Sequence, residues 1–202
     1  MFTKNIKFKN FITKKKSKNI KILRNFIKNK SLLKNYPLLK SLTNKFEYSF
    51  QKKKIKSFKK YQEVNLIGMG GSILGAEAIY DFLKYKVNKK FSFYNNLQIQ
   101  RVPKTNKKNI NLVISKSGNT LETVSNFNLL LQSQKKNKNV ILCEKKNNFL
   151  SLLAKKLKAE ILEHKNYIGG RYSVFSETGM LPAELMGLNE KKFKRFNYLI
   201  KN

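Results

Sequence analysis

Three hydroxyls fall on one turn of this chain, at Ser115, Ser117 and Thr120 in the run Ser115-Lys116-Ser117-Gly118-Asn119-Thr120. Gly118 lets the backbone fold tightly between them, and a helix predicted to open at Thr120 or Leu121 turns its positive end inward. Hydroxyls and backbone amides in this arrangement suit a phosphate monoester that is held and then released at each turnover. Lys116 either adds charge or points to solvent. Read as local structure alone, the same residues form an elaborate helix cap, with Thr120 capping and Glu122 or Thr123 assisting.

A second loop, Gly68-Met69-Gly70-Gly71-Ser72, also follows a short apolar run and precedes a helix-like stretch. Its glycines let a ligand approach the backbone closely, and Ser72 stands near a helix N-terminus. A plain strand-to-helix turn accounts for the loop equally well. It is not a dinucleotide fingerprint, because Ile73 stands where the third glycine belongs. The next strand also ends Tyr94-Asn95-Asn96, with no acid for a ribose hydroxyl. Nor is it a P-loop, since no Gly-Lys-Ser/Thr follows at the required spacing.

Alternating strands and helices position both loops. Apolar runs predict strands at 64–67, 91–95, 111–114, 140–143 and 159–162. Helices are predicted over 72–86, from Thr120 or Leu121 to about Gln134, and over 148–157. Ile73, Leu74, Ala76, Ile79, Tyr80 and Leu83 would face inward on the first, and Val124, Phe127, Leu130 and Leu131 on the second. Repeated strand–helix units with continuous apolar strands imply an α/β fold, a parallel five-stranded sheet flanked by helices. Ligands of such sheets bind beyond the carboxyl ends of the strands, where both loops lie.

Around this core the chain divides at 1–60, 61–165 and 166–202. The first part reads as a basic helical segment, with Ile20, Leu23, Ile27, Leu32, Leu33, Leu38, Leu39, Leu42 and Phe46 at helical spacing. Pro37 is predicted to begin a new helix, and the lysine-rich run 51–60 to be a solvated helix end or linker. The last part holds Gly169-Gly170-Arg171-Tyr172-Ser173 and a predicted helix around 181–188.

The net charge of +33 would ordinarily point to nucleic acid or an anionic membrane. Here lysine and asparagine are spread along the whole chain rather than gathered in a stripe, as AT-rich coding would produce, so nucleic acid is not the expected partner. At 41% hydrophobic residues, a packed core is within reach and wholesale disorder is not expected. No apolar run approaches the roughly 18 residues of a membrane span. The single Cys143 allows no intrachain disulfide and no metal-type spacing exists, which fits a reducing cytoplasm.

Three segments carry a family resemblance. Leu112-Val113-Ile114-Ser115-Lys116-Ser117-Gly118-Asn119-Thr120-Leu121-Glu122-Thr123 resembles the phosphate loop of sugar-isomerase (SIS) domains. Gly68-Met69-Gly70-Gly71-Ser72-Ile73-Leu74-Gly75 is similar to the first active-site loop of the glucose-6-phosphate isomerase family, and Gly169-Gly170-Arg171-Tyr172-Ser173-Val174-Phe175-Ser176 to its arginine signature. They occur in the family's order and cover about 60–188.

The resemblance implies an SIS-type, flavodoxin-like sheet acting on glucose 6-phosphate and fructose 6-phosphate without a cofactor or metal, in a family that usually forms dimers. It implies that Ser115, Lys116, Ser117 and Thr120 cradle the 6-phosphate and that Gly71 and Ser72 meet the sugar end. Arg171 would stabilise the enediol(ate), with a loop-holding salt bridge as its alternative role. Another SIS phosphosugar isomerase, or a noncatalytic phosphosugar-binding module, remains the rival reading.

Two departures stand out. Glu177-Thr178 replaces the family's small or apolar residues, and Glu177 is expected to pair with a local lysine. The family's base glutamate, ring-opening histidine and further lysine belong to the second half of a longer chain, so these 202 residues are expected to be an N-terminal portion that is inactive alone. His164 and Glu184 match no catalytic position. They are expected at a strand end and on a helix surface.

Overall fold

The computed structural model describes residues 25, 35–43, 45–58, 60–97, 109–134 and 136–194. The chain divides into two compact units, Met1–Tyr36 and Pro37–Asn202. The helical stripe expected at Ile20, Leu23, Ile27, Leu32 and Leu33 lies outside the described residues. The sheet and its loops belong to the second unit.

Its centre is an all-parallel sheet of β1 (Glu63–Gly68), β2 (Lys90–Tyr94), β3 (Ile110–Ile114), β4 (Lys138–Cys143) and β5 (Glu160–Glu163), in the order β2-β1-β3-β4-β5. All five strands fall within a residue or two of the apolar runs that predict them. The helices are α1 (Lys52–Phe58), α2 (Leu74–Leu83), α3 (Leu121–Ser133), α4 (Phe149–Lys156), α5 (Glu177–Leu185) and α6 (Glu190–Phe193).

Side chains alternate across a strand, so each buried strand feeds two cores. On one face Val64, Leu66, Ile110, Leu112, Ile114, Val140, Leu142 and Leu162 pack with Ile55, Phe58, Ile73, Ala76, Met180 and Leu181. On the other, Ile67, Val113, Ile141 and Cys143 meet Phe127, Leu130, Leu150 and Ala154. Each fully buried Leu, Ile or Phe contributes about 1.5–3 kcal/mol, so these two layers hold the sheet rigid beneath its loops.

The second face also carries an amide ladder near the strands' amino ends. Asn65, Asn111 and Asn139 are register partners on three adjacent strands. Asn65 Nδ2 donates to Asn111 Oδ1 at 2.8 Å, and Asn111 Nδ2 to Asn139 Oδ1 at 2.9 Å. Gln134 and Asn137, at the far end of α3, close the network: Asn65 Nδ2 and Asn137 Nδ2 both donate to Gln134 Oε1.

Four local expectations change. The lysine-rich run is helix α1, and it buries Ile55 and Phe58 against the core instead of lying solvated. Pro37 opens a short 3-10 turn, Pro37–Leu42, rather than an α-helix. Leu74, assigned to the inner face of α2, is 55% exposed: Ile73, Ala76, Ile79 and Tyr80 make the stripe that packs on the core, and Leu74, the first residue of the helix, lies off it. The helix expected at 181–188 begins at Glu177, capped by Ser176, whose side chain accepts from Thr178 N.

Candidate functional site

The strand order reverses between β1 and β3. From β1 the chain moves outward to β2, then returns across β1 to place β3 on the other side. Such a switch point splays the two carboxyl-end loops apart and leaves a crevice between them. The glycine loop after β1 and the hydroxyl loop after β3 are its two walls. At its floor the strands are close: a β-carbon on Gly68 would stand 3.0 Å from the Ile114 carbonyl oxygen.

In the hydroxyl loop, Ser115 is buried and its Oγ accepts from Gly118 N at 3.1 Å. Gly118 has φ +69°, a conformation costly for any residue with a β-carbon. Ser117 Oγ accepts from Asn119 N at 3.3 Å. Thr120 is the residue before α3, yet its side chain makes no cap bond. Its Oγ1 instead lies 3.0 Å from Ser115 Oγ and 3.5 Å from Ser117 Oγ.

The three predicted hydroxyls therefore converge, and the capping reading of Thr120 is not what the geometry supports. One consequence concerns the first turn of α3. Among the described residues no acceptor meets the N–H groups of Leu121, Glu122 and Thr123. Those donors, with the positive end of a thirteen-residue helix behind them, face the hydroxyl cluster.

The loop after β4 frames this cradle from behind. A β-carbon on Gly118 would overlap the Asn148 side-chain amide, and Gly118 O accepts from Leu150 N at 3.0 Å. Asn148 is itself fixed as the cap of α4, in a reciprocal capping box with Ser151. Asn119 Oδ1 accepts from Phe149 N at 2.9 Å. Lys116 is turned to Glu144 and the Asn166 carbonyl, 3.6 and 2.8 Å from its ammonium. Sequence reasoning did not single out Asn148 for this seat. Its only signal was an Asn at the first position of a predicted helix.

The glycine loop docks on the arginine segment. Gly71 and Gly170 meet with no room for a side chain on Gly71. A β-carbon on Gly75 would stand 2.8 Å from Val174 Cγ2, and Ser173 Oγ lies 3.1 Å from Gly71 O and 2.7 Å from Gly170 O. These contacts bring the first and third motifs together, with Arg171 on the 3-10 turn Gly170–Tyr172. Arg171 is exposed and its guanidinium makes no hydrogen bond or ion pair among the described residues, so the loop-holding salt bridge is not formed. Ser72 is half-buried, and its hydroxyl also has no partner among the described residues.

The remaining acids and the histidine sit elsewhere than expected, with one exception. Glu177 does not take a lysine. It is buried, accepts from Ser49 N at 2.9 Å, and burial pushes its carboxyl above the ordinary range. Glu184 is half-buried rather than on the helix surface. Its Oε1 accepts from Glu190 N at 3.2 Å, and burial beside Glu190 raises its pKa to about 7. His164 is the exception, a strand-end residue as expected: its backbone N–H donates to Cys143 O at 2.8 Å and burial lowers its pKa.

Among the described residues no group of three or more His, Cys, Asp or Glu is placed to hold a metal ion, and no helix is long and apolar enough to cross a membrane.

Comparison with known proteins adds three findings. The family model described as phosphoglucose isomerase matches residues 30–198. A glucose-6-phosphate isomerase of Methanocaldococcus jannaschii is 36% identical over 157 residues, 69% of this chain and 36% of the relative. The chain thus spans little more than a third of that relative's length. Among solved structures, a hypothetical protein of Thermus thermophilus superposes with TM-score 0.63 at 20% identity, covering 87% of this chain and 44% of that one. The tagatose-6-phosphate ketose/aldose isomerase of Escherichia coli gives 0.53 at 16% identity, covering 80% and 45%. At such identities the likeness shows the fold, a five-stranded parallel sheet flanked by helices.

Proposed function

The chain belongs to the phosphoglucose isomerase family, and from that premise we propose that its crevice binds glucose 6-phosphate and fructose 6-phosphate and serves their interconversion through an enediol(ate). The observation that carries this reading is the convergence of Ser115, Ser117 and Thr120 on the uncapped N-terminus of α3, beside a glycine loop docked on the Arg171 turn. The 6-phosphate accepts from the three hydroxyls and from the first-turn amides, which supply charge-independent donors aimed at an anion. Gly71 and Ser72 line the sugar end, where a backbone without side chains lets the substrate approach. Lys116 stands at the rim of this site with its ammonium turned to Glu144 and the Asn166 carbonyl.

Moving a proton between C2 and C1 builds negative charge on the substrate oxygens. Arg171, exposed and free of carboxylate partners among the described residues, stabilises that charge in the manner of an oxyanion hole. The proton itself needs a base. Glu144 is committed to two lysines and Glu177 to Ser49 N, so neither is suited to the task. The 202 residues alone accordingly bind sugar phosphate and turn it over slowly or not at all. Proton transfer and ring opening fall to groups outside these 202 residues, in a cytoplasmic enzyme.

Calorimetric titration of the 202-residue chain with fructose 6-phosphate, repeated on Ser115→Ala, tests the binding half. Saturable binding that weakens in the variant supports the proposal, and no binding at millimolar ligand refutes it. A coupled isomerase assay tests the other half. Rapid turnover by this chain alone would overturn the division of labour.

A further inference from the structure

A carboxylate beside a phosphate cradle works against anion binding, yet Glu144 stands there, only 8% exposed. It follows β4 directly and grips Lys116 at both ends. Glu144 N donates to Lys116 O at 3.1 Å, and Glu144 Oε1 lies 3.6 Å from Lys116 Nζ. Its other oxygen takes Lys146 at 2.8 Å, and the pairing with the two lysines lowers its pKa below the usual carboxylate range. Burying a carboxylate is costly unless it is paired and hydrogen-bonded. Both conditions are met here, and the pairing takes Lys116 as one of the partners.

So held, Lys116 donates to the Asn166 carbonyl at 2.8 Å. Asn166 belongs to the stretch between the end of β5 and the Arg171 turn. Its other anchors among the described residues include His164 N on Cys143 O at its start, the Lys165 ammonium 5.5 Å from the Phe46 ring, and the buried Ile168 near its end. Asn166 and Tyr167 between them are exposed. The lysine is therefore a strut from the phosphate loop to the backbone that leads into Gly169-Gly170-Arg171.

We infer that Glu144 is a positioning residue: it draws the Lys116 ammonium onto the Asn166 carbonyl and so fastens the Arg171 segment to the phosphate loop. Phosphate affinity then rests on the hydroxyls and amides, while the Glu144–Lys116 pair sets where the electrophile stands. This inference rests on the proposed phosphate site for its meaning, but its geometry can be tested apart from it.

Amide hydrogen exchange on the 202-residue chain supplies the test. Ile168, Tyr172 and Ser173 donate backbone hydrogen bonds within the segment, to Lys165, Gly169 and Gly170, and serve as reporters. In Glu144→Gln, Glu144→Ala and Lys116→Met their exchange is expected to accelerate at least tenfold. Lys116→Arg, which keeps both charge and reach, should restore protection. In Glu144→Gln the dissociation constant for inorganic phosphate should stay within threefold of the parent or tighten, since a nearby negative charge has been removed. Unchanged exchange at the three reporters in both Glu144 variants overturns the inference. So does a tenfold loss of phosphate affinity in Glu144→Gln with loosening at 115–120, because Glu144 would then be bracing the cradle itself. A parent chain that binds neither phosphate nor fructose 6-phosphate refutes the functional proposal and leaves the exchange result to decide this one.

Discussion

Gly71 and Gly170 meet backbone against backbone, so that a single methyl on Gly71 would run into the Gly170 carbonyl. One loop follows β1 and the other precedes α5, about a hundred residues later in the chain, and this contact seats the Arg171 turn beside the glycine loop. Neither loop has the position proposed for it without the other.

Gly71→Ala is the sharpest probe of that seat. The neighbour is backbone and cannot rotate away, so the loops must part, at a cost of about 1–3 kcal/mol. Denaturant unfolding should report that loss. Fructose 6-phosphate binding should weaken at least tenfold, while Gly70→Ala, where nothing lies within 4 Å but φ is +52°, should separate backbone strain from loop separation. Equal losses in the two variants would mean that the contact with Gly170 is not what matters.

The hydroxyl cluster makes a second prediction. A hydrogen bond to a charged group is worth about 1.5–3 kcal/mol, or roughly 10–100-fold in affinity. Thr120→Val keeps the shape and removes the hydroxyl that joins Ser115 and Ser117. Phosphate and fructose 6-phosphate should lose affinity by the same factor, because the deleted group touches only what they share. A loss confined to the sugar phosphate would place Thr120 at the other end of the crevice.

Arg171 is expected to behave in the opposite way. Its proposed work is on charge that develops during proton transfer, so in any preparation of this protein that shows isomerase turnover Arg171→Ala should lower kcat by about 10²–10³ and leave KM within a few-fold. Lysine should recover part of kcat but not all, lacking the planar fork of the guanidinium. A variant that raises KM with kcat intact would assign Arg171 to substrate binding.

A fourth prediction concerns pH and lies away from the crevice. Glu184 titrates at about 7 in the fold against an ordinary 4.5, so the folded state keeps a proton that the unfolded chain releases in between. Stability from this carboxyl is complete below 4.5 and is lost as pH rises through 7. Glu190, held at about 2 and paired with Lys52 at 2.8 Å, contributes above 4.5 and fades only in strong acid. Tyr48, packed nearby, feels both charges, and Lys194 that of Glu190. Between pH 5 and 8 the melting temperature of the parent should fall relative to Glu184→Gln, by about 2–4 °C for each kcal/mol involved. Parallel curves for the two proteins would show that Glu184 is not the titrating group.

The sheet was readable from the chain because five apolar runs, each bounded by loop residues, permit little else. The hydroxyl cluster was readable for a related reason: Ser115, Ser117, Gly118 and Thr120 are close in sequence, so local geometry nearly determines their convergence. What escaped is what depends on distant partners. Nothing local to Glu177 announces Ser49, more than a hundred residues away, as its donor. Nothing about Lys116 announces Glu144 and Asn166. The run 51–60 looked solvated by its lysines, yet Ile55 and Phe58 face the core and the lysines fan outward from one short helix. In each case the decisive contact is tertiary, and a linear pattern of polarity carries no record of it.

The amide ladder of Asn65, Asn111 and Asn139 has a consequence for how the crevice is assembled. Parallel strands with apolar side chains on both faces could slide by two residues and still bury carbon against carbon. An amide that slides loses its partner in a dry interior, at about 1–3 kcal/mol for each group stranded. Three strands are thereby keyed at one end, and because strands are stiff the key is read out at the other. Gly68 ends its strand three residues beyond Asn65, and Ile114 three beyond Asn111, some 10 Å along the pleat. The ladder acts as an alignment gauge for the machining of the site. The height at which the glycine loop faces the hydroxyl loop is set not at the mouth of the crevice but by a row of carboxamides at the far end of the strands.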